Sequence, residues 1–499
     1  MKSIKYISLG LVLAGAIGFS SCGDDYLDTV STSGVSENTI VESLDNLYMA
    51  LNGIHSEMVS QETGYQCLGG EPGFMFCRDC EADDITWQTN TWMKAAYLGW
   101  SCNMDETSGY NYKFWQIYYQ WILNVNKILA SLESYSEDQI TDQSLYNQIK
   151  GECLTHRGWA HFNLVQLYAD RYSESSSNTQ DGIPYRTAAE TTEMARNSVA
   201  EVYELINNDL DEAAELLEGI TPEDITHYSE MVVWGIKARV AMAMHEYSNA
   251  ATYAAKSISL AEEQGCALME GDELYCGFAD ITSDTNEAMY AAETADDMTV
   301  YYYSFYAYMS WNFNSTAIRQ GVKAISATAY DTMSDTDLRL EWWDPTGTAE
   351  VPTTSYAKIE YQNRKFEARS TANGVGDVAF MRLAEVYLTE AEALARAGNY
   401  TSAQEVFTKF QVTRDPEYVS QGNTGDALIE EIMNSRRVEL WGEGFRFYDL
   451  KRLNLDIERG SNFDISFCTF LTKEAGADGW TWEIPKIETD YNSLCTKNY

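Results

Sequence analysis

The order of apolar and polar positions along the chain separates helical blocks from stretches without period. From Glu37 to Val59 the residues Ile40, Leu44, Leu47, Leu51, Ile54 and Met58 recur three or four apart, the stripe of one amphipathic helix. The period is lost over residues 60–111, which are rich in Gly, Cys, Asp and Trp and read as irregular loops. It returns with Trp115, Tyr118, Ile122, Val125, Leu129 and Leu132, and again over Leu145–Asp170, Val199–Leu217 and Ser229–Met244. From about Cys266 to Gly376 it mostly vanishes. A last run, Asp426–Trp441, places Leu428, Ile432, Met433, Leu440 and Trp441 on one side before Gly442 and Gly444 break it. The expected fold is therefore mainly α. A helical scaffold covers about residues 37–59, 112–265 and 377–455, and loop-rich regions cover about 60–111 and 266–376.

Two of the helical stretches echo each other. "ARVAMAMHEYSNAATYAAKSI" and "AEALARAGNYTSAQEVFTKF" each run helix, polar turn, then Tyr-x-x-Ala opening the next helix, with Tyr247 and Ala250 matched by Tyr400 and Ala403. Small alanines let paired helices approach closely, so the pattern resembles a tetratricopeptide-type hairpin. The copies are separated by the long loop-rich stretch, and large insertions in a helical scaffold are usual places for function.

Charge narrows the partners. Lys+Arg total 34 against Asp+Glu 76, a formal net charge of −42. Nucleic acid would be repelled, because its binding rests on cations replacing phosphate counterions. The N-terminus, "MKSIKYISLGLVLAGAIGFSSCGDD", has Lys2 and Lys5, then the apolar stretch Tyr6–Phe19, then small Ser20 and Ser21 before Cys22. These 14 residues are too few to span a bilayer as a helix and read as a secretory signal over residues 1–21. Cys22 after the small pair resembles a bacterial lipobox, with Phe19 in place of the usual leucine; it is the expected lipid anchor, followed by a polar linker over 22–36.

No sequence pattern demands an enzyme. The chain has no Gly-x-Ser-x-Gly, no His-Glu-x-x-His and no phosphate loop. "GVGDVA", Gly374–Ala379, mimics part of a dinucleotide fingerprint but follows a polar loop, and Asp377 is expected to cap the next helix instead. Cys77-Arg-Asp-Cys80 has the spacing of half a zinc site without a second half, and His156 and His161 are poorly aligned on a helix. No cofactor, metal or catalytic residue is expected; the cysteines after Cys22 are read as a disulfide or free thiols.

Binding chemistry is concentrated in aromatic residues. "ITWQTNTWMKAAYLGW" holds Trp87, Trp92 and Trp100, and "VYYYSFYAYMSWNF" holds Tyr303, Tyr306 and Trp311. Both lie where core periodicity is missing. An aromatic ring stacks on the apolar face of a sugar while amides such as Gln88, Asn90, Asn312 and Asn314 take its hydroxyls. Those six rings are the expected ligand contacts, with Trp342 and Trp343 as a fallback.

"RRVELWGEGFRFYDLKR" mixes cations and carboxylates so evenly that the charges can satisfy one another, which favours a structural role. Arg436 and Arg437 are expected to pair with Glu439, Glu443 or groups on adjacent helices. The stretch also resembles the C-terminal signature of the SusD/RagB family, R-R-x-E-L-x-x-E-G-x-R-x-x-D-L-x-R, filled by Arg436, Arg437, Glu439, Leu440, Glu443, Gly444, Arg446, Asp449, Leu450 and Arg452. "GECLTHRGWAHFNLVQLYAD" and "DVAFMRLAEVYLTEAEALARAGNY" resemble two further family segments, with Cys153 and Gly158 replacing alanines; the C-terminus lacks the usual Asn-Pro pairs. The resemblance implies a SusD-like superhelix of tetratricopeptide-like hairpins over 37–499 with a loop-rich ligand face. It further implies a lipoprotein on the extracellular side of the outer membrane and a SusC-like TonB-dependent transporter as partner. The implied ligand is an oligosaccharide, or a peptide as in the RagB branch. A surface hydrolase is the reading from another class.

Overall fold

The computed structural model describes residues 43–60, 69–87, 98–295 and 304–499. The signal segment, Cys22, Trp92 and Tyr303 lie outside the described residues.

Helices begin where the sequence supplies caps. α1 (Leu44–Glu57) starts on Ser43, whose hydroxyl accepts from the Asn46 N–H at 3.2 Å. α2 (Gly70–Glu81) falls inside the stretch read as loops, and corrects that reading. Every one of its residues is buried, so Glu71, Arg78, Asp79 and Glu81 mark no solvent side and no amphipathic period exists to be read. Short strand β1 (Ile85–Thr86) follows, then the long helices α3 (Gly109–Glu133) and α4 (Gln143–Tyr168). Ser108 caps α3, Asp142 caps α4, and Ser198 with Glu201 forms a capping box at the start of α5 (Val199–Leu216).

The repeat expectation holds in detail. α6 (Glu230–Ala243) and α7 (Tyr247–Glu263) form one hairpin; α8 (Leu383–Arg396) and α9 (Tyr400–Arg414) form the other. In the first turn His245 has φ +61° and the Glu246 N–H reaches the Ala241 carbonyl at 2.9 Å; in the second Gly398 has φ +83° and the Asn399 N–H reaches the Leu394 carbonyl at 2.8 Å. Ala250 and Ala403 are both completely buried where the second helix of each pair begins. α7 packs directly on α8. The hairpins are thus neighbours in space, and the chain between them is an insertion that leaves and rejoins the superhelix. α10 (Asp426–Glu439) and α11 (Arg446–Leu453) complete the scaffold.

The insertion contributes short strands. β2 (Ala288–Ala292) pairs antiparallel with β6 (Val378–Arg382), which runs straight into α8. Asp377 therefore precedes a strand and caps no helix; it accepts from Thr282 Oγ1 at 2.5 Å and from Arg369 Nη2 at 3.2 Å. A four-stranded antiparallel sheet runs in the order β1, β3 (Ala324–Ile325), β5 (Gln362–Asn363), β4 (Trp343–Asp344), with Ile85 opposite Ile325, Ala324 opposite Gln362 and Asn363 opposite Trp343. This sheet joins the two loop-rich regions into one body.

Candidate ligand-binding face

The sheet gathers the aromatic residues that the sequence singles out. Trp87 follows β1 and Trp343 opens β4. Trp311 is tied to the end of β5 by its N–H, which donates to the Phe366 carbonyl at 3.0 Å. Among the expected ligand rings in the described residues, Trp311 alone is half-buried; Trp87, Trp100 and Tyr306 are 1%, 6% and 1% exposed.

The three buried rings are engaged in packing, each for a visible reason. Trp87 lies 6.3 Å from Phe76, and the Lys323 ammonium sits 5.3 Å above its ring. That lysine is itself buried and donates to the Gly321 carbonyl at 2.8 Å; burial lowers its pKa to about 8. Trp100 donates from Nε1 to the Glu81 carbonyl at 2.9 Å and meets Trp480 edge-on at 5.0 Å, away from the insertion. Tyr306 donates to the Asp377 carbonyl at 2.9 Å, and its ring lies where a Cβ on Gly376 would stand, 2.3 Å away. Gly376 is thus required for a close approach and not for a phosphate. Trp342 and Trp343 are buried as well, Trp342 donating from Nε1 to the Leu274 carbonyl at 2.6 Å.

Trp311 is presented differently. The Arg364 guanidinium lies 4.4 Å from its ring centroid, which fixes the indole from one side by cation–π attraction. Nε and Nη2 of that arginine have no hydrogen-bond partner among the described residues. Exposed Glu367 stands beside it, hydrogen-bonded to the Trp311 side chain and 3.3 Å from the buried Asn312 amide. A rigid ring beside an exposed carboxylate makes a surface suited to a neutral polyhydroxyl ligand. Sequence reasoning missed Arg364, since a single arginine in a loop carries no pattern.

A second concave surface, a groove of about 520 Å³, lies between α3 and the C-terminal segment. Tyr112, Gln116, Tyr119 and Gln120 line it from the helix, and Tyr491, 81% exposed, from the other side.

The C-terminal signature holds the face in place, as the charge pattern implies, although most of its partners lie outside it. Arg437 donates to Asp84 just before β1 at 2.5 Å, and Arg446 to Asp83 at 2.7 Å. Glu443 meets Lys365, just after β5, at 2.6 Å and Arg382 at 2.6 Å. Glu439 is held by Arg382 at 2.9 Å, Arg414 at 3.0 Å and Arg339 at 3.3 Å. Burial pushes the Glu439 carboxyl up, but these guanidiniums outweigh it and keep the pKa well below the carboxylate range. Arg436 pairs with Asp449 at 2.8 Å, and Arg452 with Glu392 at 2.7 Å.

Cys153, Cys266, Cys276, Cys468 and Cys495 are free thiols. Outside this face, His55, Glu152 and His227 bring donor atoms together in the helical scaffold.

With this geometry in place, known proteins give a consistent comparison. A family model, SusD-like_3, described as starch-binding and associating with the outer membrane, matches residues 25–242. A SusD-like protein, P38, from Formosa agariphila is 23% identical, with 92% of this chain and 93% of that protein covered. The crystal structure of a SusD-like carbohydrate binding protein from Bacteroides vulgatus superposes with a TM-score of 0.79 at 22% identity, covering 91% of this chain and 97% of the other. A laminarin binding SusD-like protein superposes with a TM-score of 0.71 at 19% identity over 92% of this chain and 99% of the other.

Proposed function

We propose that this chain, which a SusD-like family model matches over residues 25–242 and which is 23% identical to a SusD-like protein, is a SusD-family cell-surface lipoprotein that captures oligosaccharides and delivers them to a SusC-like TonB-dependent transporter. Cys22 is the lipid anchor in this reading, and it places the protein on the extracellular side of the outer membrane. Capture is non-catalytic. The supporting observation is the half-buried Trp311, held by Arg364 at 4.4 Å on a sheet built from both loop-rich regions. Stacking on one fixed ring with hydroxyls directed to the nearby carboxylate binds a neutral sugar and leaves it unchanged. Trp92 and Tyr303, outside the described residues, are the further proposed contacts. Trp87 serves by packing against the insertion, Tyr306 by packing within it, and Trp100 by packing on the C-terminal segment.

The test is a binding screen of soluble mature protein against laminarin, starch oligosaccharides and mixed peptides, with analysis of the ligand afterwards. Saturable binding of an intact glycan supports the proposal. Peptide binding alone assigns the protein to the RagB-like reading, and shortened glycan products assign it to a hydrolase. Mild detergent extraction of the native membrane, followed by pull-down, tests the transporter: a large β-barrel partner is expected, and repeated recovery of the protein alone contradicts it.

A further inference from the structure

The helical scaffold contains a buried set of donors that ligand capture does not use. His55 comes from α1, Glu152 from the middle of α4, and His227 from the turn before α6. They are 9%, 0% and 5% exposed. Glu152 Oε2 lies 3.0 Å from His55 Nε2 and 2.9 Å from His227 Nδ1, and one donor atom from each residue falls within 4.8 Å of the others.

We propose that His55, Glu152 and His227 bind one divalent transition-metal ion of the Zn²⁺ class, which ties α1 to α4 and to the start of the repeat hairpins. Two imidazoles and a carboxylate are the donors that such a borderline ion takes, whereas Ca²⁺ and Mg²⁺ favour sites made wholly of oxygen. Bonds of about 2.0–2.2 Å to a tetrahedral ion put neighbouring donors about 3.3 Å apart, so each carboxylate–imidazole distance has to open by a few tenths of an ångström, while the two imidazole nitrogens, within 4.8 Å of each other, settle at the same separation. Three protein donors leave the fourth position to water.

The outer partners are also arranged for a metal. The second nitrogen of each imidazole faces a tyrosine hydroxyl: His55 Nδ1 lies 3.3 Å from Tyr290 OH, and His227 Nε2 lies 3.2 Å from Tyr48 OH. Ligating histidines are oriented in this way, with the outer N–H given to a fixed acceptor. Gln148 Nε2 donates to Glu152 Oε1 at 3.0 Å and steadies the carboxylate from its far side. Exposed Glu223 and Asp224 lie on the surface turn that leads to His227 and draw cations toward it. Without an ion, protons on both imidazoles satisfy the carboxylate; the metal takes their place at the same three atoms. The spacing of 55, 152 and 227 carries no motif, which is why the sequence is silent about it.

The test uses mature protein stripped with chelator. Titration with Zn²⁺ should show one site per chain and an upward shift in melting temperature. Co²⁺ in the same site should give the intense visible bands of a four-coordinate ion, without the thiolate charge-transfer band that cysteine ligation would produce. Glu152→Gln should abolish both signals. Tyr48→Phe, which leaves every ligand in place, should weaken Zn²⁺ binding about 10–100-fold. Should Glu152→Gln fail to fold, His227→Ala and the Co²⁺ spectrum of the unaltered protein decide. Lack of stoichiometric Zn²⁺ binding, a cobalt–thiolate band, or binding unchanged by His227→Ala would overturn the assignment.

Discussion

Arg437 donates to Asp84 at 2.5 Å across 353 residues of sequence, joining the C-terminal signature to the residue that precedes β1. Trp441 Nε1 adds a bond to the Asp84 carbonyl at 2.9 Å, so the start of the ligand-face sheet is gripped by side chain and backbone together. Asp84 is buried, Arg437 is partly so, and Arg446 Nε also stands 3.2 Å from Asp84, so removing one partner costs less than breaking a fully buried pair, about 1.5–3 kcal/mol. Arg437→Ala and Asp84→Ala should each lower unfolding free energy by about that much, and the double mutant should lose less than the sum. Strictly additive losses in denaturant unfolding would show that the pair is not coupled.

Asp79 gives a pH dependence that isolates one group. Its carboxylate is buried and accepts from the Gly444 and Arg446 N–H groups at 2.9 and 3.1 Å. Burial outweighs those bonds and raises its pKa to about 7. The folded state therefore holds this proton where the unfolded chain has lost it. The resulting stability is full below the ordinary aspartate pKa near about 4 and fades as pH rises through about 7. Melting temperature measured from pH 4 to 8 should fall less steeply in Asp79→Asn than in the parent. Parallel curves would refute the shift.

Gly376 and Tyr306 supply a steric test. A Cβ at Gly376 would lie 2.3 Å from the Tyr306 ring. Gly376→Ala should lower the melting temperature, and adding Tyr306→Ala should recover part of the loss by clearing the ring. If the second substitution only deepens the loss, the ring is not what the glycine accommodates.

The fold was legible wherever one side of a helix meets solvent. α1, α3 and α5 follow their apolar stripes, and the Tyr-x-x-Ala turns mark both hairpins. α2 was hidden because all of its faces are buried. The ion pairs were legible in kind but not in partner: Arg437 and Glu443 find Asp84 and Lys365, which no local spacing indicates. Ring density located the loop-rich face but gave no side-chain direction, so Trp87 and Trp311 looked alike on the sequence although one is 1% exposed and the other half-buried.

Trp311 carries the proposed recognition, so isothermal titration of the parent and of Trp311→Ala with the best glycan from the screen tests the central claim. An anchor ring of this kind is worth about 2 kcal/mol, roughly a 30-fold loss of affinity. The account predicts saturable binding of an intact neutral oligosaccharide by the parent. It predicts a loss of that order in Trp311→Ala with the melting temperature unchanged. Equal affinity of the two proteins for the glycan would contradict it.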